Sequence, residues 1–470
     1  MPHQDQHRPT ASAPHHQDLG RVLGWLTATA DFSAVRLRGS CTWEPRGLAC
    51  AALLWAWSDE PTLVARSQAA RKIVRLALGL DAEVATTYQA FLKLLRARTA
   101  TLAAILMLAL RRRMRDDLAN RFEVAGFAAF AVDGSRLQLP RTVSNQARFT
   151  AKQGRGPKAR RRRRLPATAA DLASRRKKAE GPQMWLTTTW HVGTGLPWDW
   201  RTGPDDSSER EHLRQMIDTL PANALAMADA GFVGYQTWAD LIASGRHLLV
   251  RVGANVRLLR GLGYARERGG TVYLWPDRQA SRGKPPLVLR LVAVQEARHP
   301  MYLVTSVLDQ ERLKDHQVIE LYRLRWGIEL FYRDFKQAFG RRKLRSQRSE
   351  NAEVEATWSL LGLWALTRHG QVELSCEAVP ASRMSVTGLL RAYRGAMREY
   401  RVVPELGESL WERLASATID GYHRRSKASR DYPRKNRTKP IGAPKIRPAT
   451  AREIERASQC KDAHQARLTA

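Results

Sequence analysis

The stretch DHQVIELYRLRWGIELFYRDFKQAFG, residues 315–340, decides how the rest of this chain is read. It contains no proline, its apolar residues recur at three- and four-residue spacing, and Gly340 closes it, so it predicts one long amphipathic helix. At about 100° per residue, Leu321, Leu324, Ile328, Phe331, Phe335 and Phe339 fall on one apolar stripe. On the same wheel Tyr322, Arg325, Glu329 and Lys336 lie within roughly 60° of one another, about 100° from that stripe. Such a helix buries one face and edges the core with a phenol, a guanidinium, a carboxylate and an ammonium along the next. Asp334 points roughly 140° away from Glu329, toward solvent. The four polar groups suit phosphate and metal. The same spacing also fits a basic surface helix with an i,i+4 Arg325–Glu329 pair.

Composition narrows the partners. The 470 residues carry a formal charge of +33 and a pI near 10.9. An excess of this size repels itself unless a polyanion neutralises it, which makes nucleic acid the first expected partner and an anionic membrane surface a distant second. Hydrophobic content of 43% and a mean hydropathy of −0.44 suit a soluble globular protein with polar tails. No apolar run approaches the roughly 20 residues of a membrane span, and the N-terminus lacks the apolar core of a signal peptide. The expectation is a cytoplasmic, nucleoid-associated protein with no membrane partner. Cys41, Cys50, Cys376 and Cys460 are scattered without CxxC pairing and read as free thiols. No GxxxxGK[ST] occurs, and GLGYARERGG lacks the dinucleotide fingerprint, so no nucleotide cofactor is expected.

In chain order the pattern divides into five parts. Residues 1–17 read as a disordered tail, and residues 18–121 as a helical domain with helices at 46–57, 62–78, 87–96 and 99–118. Residues 122–345 alternate strands and helices. Strand texture appears at 127–133, 185–192, 196–201, 225–229, 247–252 and 302–307. A helix from Ser207 carries Glu209 and Glu211 in its first turn, where the helix dipole favours acids. Within this part a basic stretch at about 141–182, including Arg161, Arg162, Arg163 and Arg164, reads as a solvated loop placed to track DNA. A second interruption, at about 253–300, reads as a mostly β insertion. Residues 346–422 supply further helices, and 423–470 a basic, proline-punctuated tail that cannot build a core.

Three acids stand in comparable settings: Asp133 and Asp229 at the ends of apolar strands, Glu329 on the helix. Alternating strands and helices bring such strand ends together at one sheet edge. Clustered carboxylates repel unless cations lie between them, and hard oxygen donors select Mg²⁺ or Mn²⁺. Each Asp alone also reads as a turn-former or a helix cap.

Tyr322-x2-Arg325-x3-Glu329-x6-Lys336, with AVDGSRLQLPRT around Asp133 and MADAGF around Asp229, resembles the YREK signature and acid motifs of DDE transposases of the insertion-sequence-four family. The resemblance covers roughly 122–340. It implies an α/β, RNase H-like catalytic core interrupted by a β insertion, with Asp133, Asp229 and Glu329 holding two Mg²⁺ or Mn²⁺ ions. Tyr322, Arg325 and Lys336 would then grip phosphates near the cleaved end. Trp275, in the insertion, is by position the candidate for stacking on a flipped end base, and a buried packing role is the alternative. The expected activity is cleavage of element ends and joining of 3′ ends to target double-stranded DNA by a homodimer in the DNA complex. A metal-dependent nuclease or resolvase without strand transfer, and a silent DNA-binding derivative, remain open.

Overall fold

The computed structural model describes residues 15–39, 41–78, 87–150, 181–295, 300–376, 383–400, 409–419 and 442–469. Its centre is a ten-stranded mixed sheet in the order β10-β6-β7-β8-β9-β5-β4-β1-β2-β3. The strands are β1 Ala128–Gln138, β2 Gln183–His191, β3 Leu196–Gly203, β4 Ala224–Ala228, β5 His247–Val252, β6 Arg257–Arg260, β7 Thr271–Leu274, β8 Leu287–Val294, β9 Met301–Thr305 and β10 Lys445–Pro448. β1 lies antiparallel to β2 and parallel to β4, which is parallel to β5. Residues 128–132 and 224–228 are buried throughout, the pattern of strands covered on both faces.

The expected insertion does not stand apart. β5 would otherwise present an open row of N–H and C=O groups, and β9 covers it, followed by β8, β7 and β6 in one continuous sheet. The far edge, β6, is covered in turn by β10, with Ile446 packed against the core. The segment from 442 onward, read from sequence as unable to build a core, therefore completes the sheet. It continues into a helix, Ala451–Thr469, whose Ala457 is fully buried.

The helices flank this sheet: α1 His15–Thr27, α2 Pro45–Trp57, α3 Leu63–Ala77 and α4 Tyr88–Asp117 on the N-terminal side. Two helices expected at 87–96 and 99–118 are one, because neither Pro nor Gly separates them. α1 begins inside the expected tail. A long helix at Ser349–Cys376, buried on nearly every side, binds the N-terminal helices through indoles. Trp57 Nε1 donates to Gly362 O at 2.8 Å and Trp358 Nε1 to Thr99 Oγ1 at 2.9 Å. The regions separated in sequence thus share one core. Among the described residues no helix is long and apolar enough to cross a membrane.

Candidate active site

The site forms where β1 outruns its parallel neighbour. β1 and β4 pair from Ala128↔Ala224 to Ala131↔Met227, and the same register sets Asp133 opposite Asp229 two residues further along. Adjacent strands lie about 4.8 Å apart, so the two carboxylates are neighbours. Asp229 follows the last residue of β4, as expected from sequence. Asp133 does not end its strand: β1 continues to Gln138, paired with β2, and Asp133 faces Thr188. Gly231 N donates to Asp229 Oδ1 at 2.8 Å, which fixes that carboxylate in the turn after β4.

The signature stretch is two helices, Asp315–Leu324 and Gly327–Lys336, in place of the single one expected. Between them the hydrogen bonds tighten to i→i−3, as in Trp326 N to Arg323 O at 3.2 Å and Glu329 N to Trp326 O at 3.0 Å. Gly327 shows why the chain must be bare here. A Cβ on it would lie 2.1 Å from the Trp190 ring. The turn rotates the expected stripe: Leu321, Ile328, Phe331, Phe335 and Phe339 are buried, whereas Leu324 is 48% exposed.

The second of these helices leans on β1. Tyr332 OH donates to Asp133 O at 2.8 Å, and Lys336 Nζ donates to Ser135 Oγ at 2.6 Å. Glu329, Tyr332 and Lys336 stand at i, i+3 and i+7 on one face, so the same docking presents Glu329 to the aspartates. Arg325 Nη2 meets Glu329 Oε1 at 3.4 Å, and the Arg325 guanidinium lies over the Tyr322 ring at 5.5 Å from its centroid. Tyr322, expected to edge the core without being buried in it, is buried beneath that guanidinium.

Burial pushes the Asp133 carboxyl up to about 6. The Gly134 backbone hydrogen bond and Arg325 oppose the rise, and the charges of Asp229 and Glu329 add to it. Burial also raises Glu209, to about 7, with Asp133 and Asp229 as its next causes. Glu209, whose sequence setting suggested only a helix-dipole acid, is thus drawn into the acidic site. Only the tertiary approach of its helix, Glu209–Arg214, to β1 and β2 reveals this. Burial lowers Lys336, Arg342 lowers it further, and Asp133 opposes.

The donor set is all oxygen, crowded and only partly countered by Arg325, which suits a hard dication. Among the described residues no three such side chains already close on a single ion. The carboxylates form an open set.

Other expectations fare differently. Trp275 is 6% exposed and its Nε1 donates to Lys284 O at 2.7 Å, so it packs inside the insertion as the alternative reading held. The exposed indole of the region is Trp326, 57% accessible and adjacent to Arg325. Asp334 points away from Glu329's partners, as the wheel predicted. It is not free in solvent, being half-buried and bonded to Arg333 at 3.2 Å. Arg161, Arg162, Arg163 and Arg164 lie outside the described residues.

Residues 128–365, just over half of the chain, match the family described as "Transposase DDE domain", and the chain belongs to that family. Among individual proteins it is similar to "Transposase InsG for insertion sequence element IS4" of Escherichia coli (strain K12), 27% identical over 260 residues. That match covers 53% of this chain and 53% of InsG, so the chain spans about half the length of this relative. The relative agrees with the insertion-sequence-four membership that the YREK spacing led us to expect. A cryo-EM structure titled as a piggyBac transposase synaptic complex with hairpin DNA overlaps 88% of this chain and 85% of its own. The TM-score is 0.36 and the identity 11%, an overlap too loose to fix a shared fold.

Proposed function

We propose that this chain is a transposase that cleaves the ends of an insertion sequence by metal-dependent hydrolysis and joins the freed 3′ ends to target DNA. The observation that carries the reading is the β1–β4 register that sets Asp133 beside Asp229, with Glu329 brought over them by the helix that Tyr332 and Lys336 dock on β1. The order β3-β2-β1-β4-β5, with β1 antiparallel to β2 and parallel to β4, supports an RNase H-like core. Asp133, Asp229 and Glu329 would hold two Mg²⁺ or Mn²⁺ ions, which when bound supply charge neutralisation and Lewis-acid polarisation of the phosphate.

The chain's own groups do the positioning. Arg325, tethered to Glu329 and stacked on Tyr322, aims the carboxylate and offers a fork to a phosphate oxygen. Lys336, at Ser135, places a mobile positive charge beside Asp133. Trp326 offers an exposed ring on which an unpaired base can stack. In cleavage, water attacks the phosphorus and the P–O3′ bond breaks, leaving a 3′-hydroxyl and a 5′-phosphate. In transfer, that hydroxyl attacks a target phosphodiester and displaces its 3′ oxygen. The charge of +33 supports double-stranded DNA as partner through phosphate neutralisation, and we extend the reading to a homodimer holding both ends.

The test is Asp229→Asn. It should bind an end-containing duplex with near-parental affinity in a gel-shift titration, yet lose Mg²⁺- or Mn²⁺-dependent nicking. Wild-type nicking by the variant, or nicking by the parent in EDTA, would sink the assignment. Joined products in the same reaction separate transposition from plain nuclease action.

A further inference from the structure

We infer that Glu209 is a fourth carboxylate of the Asp133–Asp229 centre and binds the divalent cation there alongside them. The inference rests on the reading of that centre given above, and it goes beyond the Asp–Asp–Glu order and the YREK spacing, neither of which contains this residue.

The geometry is specific. Glu209 opens the short helix that packs against β1, β2 and β3, and its carboxylate reaches the backbone of β1 at Gly134, just past Asp133. A Cβ on Gly134 would lie 2.1 Å from Glu209 Oε1 and 2.9 Å from its Cδ, so Gly134 is the gap through which the carboxylate enters. On the other side, a Cβ on Gly231 would lie 3.8 Å from Glu209 Oε2. The side chain thus spans from the residue after Asp133 to the turn that fixes Asp229.

Its surroundings counter the charge only in part, since Arg136 and Arg210 act on it from a distance without pairing with it. Among the described residues Glu209 makes no hydrogen bond or ion pair, and the nearby cations are engaged elsewhere. Arg136 pairs with Asp205 at 2.6 Å, Arg210 donates to Val233 O at 2.8 Å, and Arg325 holds Glu329. Glu211, in the same first helical turn, behaves as an ordinary surface acid and pairs with Arg214 at 2.8 Å. A half-buried carboxylate facing two others, with no cation paired to it, is costly unless a metal neutralises the group. A role in helix-dipole compensation would need neither the Gly134 gap nor the approach to the aspartates.

The experiment is Mn²⁺ titration by calorimetry on the full chain without DNA, for the parent, Glu209→Gln, Glu209→Asp, Glu211→Gln and Asp229→Asn. Thermal melting with and without Mn²⁺ accompanies each. Glu209→Gln should weaken Mn²⁺ binding by about 10–100-fold, the range for removal of a supporting metal-site group, and should shrink the Mn²⁺-induced rise in Tm. Glu209→Asp, which keeps the charge, should fall between it and the parent, and Glu211→Gln should match the parent. If Asp229→Asn loses Mn²⁺ while both Glu209 variants bind like the parent, the inference fails and the centre stands. Equal weakening by Glu209→Gln and Glu211→Gln would also overturn it, as a general charge effect. If the parent binds no Mn²⁺, or Asp229→Asn binds as the parent does, the reading of the centre fails with it.

Discussion

Glu329 and Asp334 are five residues apart on one helix, and their side chains meet different surroundings. Glu329 is held by Arg325 toward Asp133, while Asp334 is bonded to its neighbour Arg333. Glu329→Gln should abolish metal-dependent cleavage in single-turnover assays, because an amide is a far poorer ligand for a hard dication. Asp334→Asn should retain cleavage and melt near the parent. A folded but inactive Asp334 variant beside an active Glu329 variant would reverse the assignment. Asp133 carries a second consequence. The unfolded chain releases its proton near the ordinary value of 3.8, and the folded chain holds it to about pH 6. The native state therefore binds more protons in that window, and its stability falls as pH rises through it. Relative to Asp133→Asn, which cannot titrate there, the metal-free parent should lose on the order of 2 kcal/mol between pH 4 and 7. Melting both proteins in EDTA across that range checks it, and parallel profiles would refute it. At pH 7.5, Mn²⁺ should raise the Tm of the parent and not of the variant.

The break at 325–326 turns one amphipathic pattern into two helices, and Gly327 is its pivot. With the Trp190 ring 2.1 Å from any added Cβ, Gly327→Ala must push the helix off the sheet. The expected cost is about 1–3 kcal/mol, as for other overpacked sites. Leu324→Ala, at a position the helical wheel puts on the apolar stripe, should change stability by only about ±0.5 kcal/mol because the side chain is 48% exposed. Denaturant melts of the two variants decide the point: a large destabilisation at Leu324 with none at Gly327 would mean an unbroken helix.

Charge belongs to the whole chain. Arg424, Arg425, Lys427, Arg430, Arg434, Lys435, Arg437 and Lys439 lie outside the described residues, just before β10. Truncating the chain there would also remove the strand that closes the β6 edge, confusing affinity with stability. Changing these eight residues to Gln keeps β10 and its helix. The variant should bind all duplexes more weakly and flatten the slope of log K against log salt by about 0.9 for each DNA phosphate that it no longer neutralises. An unchanged slope would assign these residues a role other than binding DNA.

The amino-acid sequence alone marked β1 to β5 and β9 as strands, because their apolar runs are bounded by Gly, Pro and polar turns, and it read 253–300 as mostly β without marking β6 as a strand. It also singled out Asp133, Asp229 and the YREK residues as site candidates, the last because fixed offsets along one short segment are a local property. Pairing was not local. That β9 joins the expected insertion to β5, that residues 445–448 close the far edge, and that Trp275 packs inward all depend on which unpaired edges and apolar faces meet. The helix break was hidden for the same reason: the ring that Gly327 makes room for, Trp190, lies 137 positions earlier in the chain. Glu209 reads in sequence as a helix-dipole acid like Glu211, and only the packing of its helix against β1 separates the two. Periodicity reports which face of an element is buried, but what that face is buried against is settled by long-range packing that no single segment encodes.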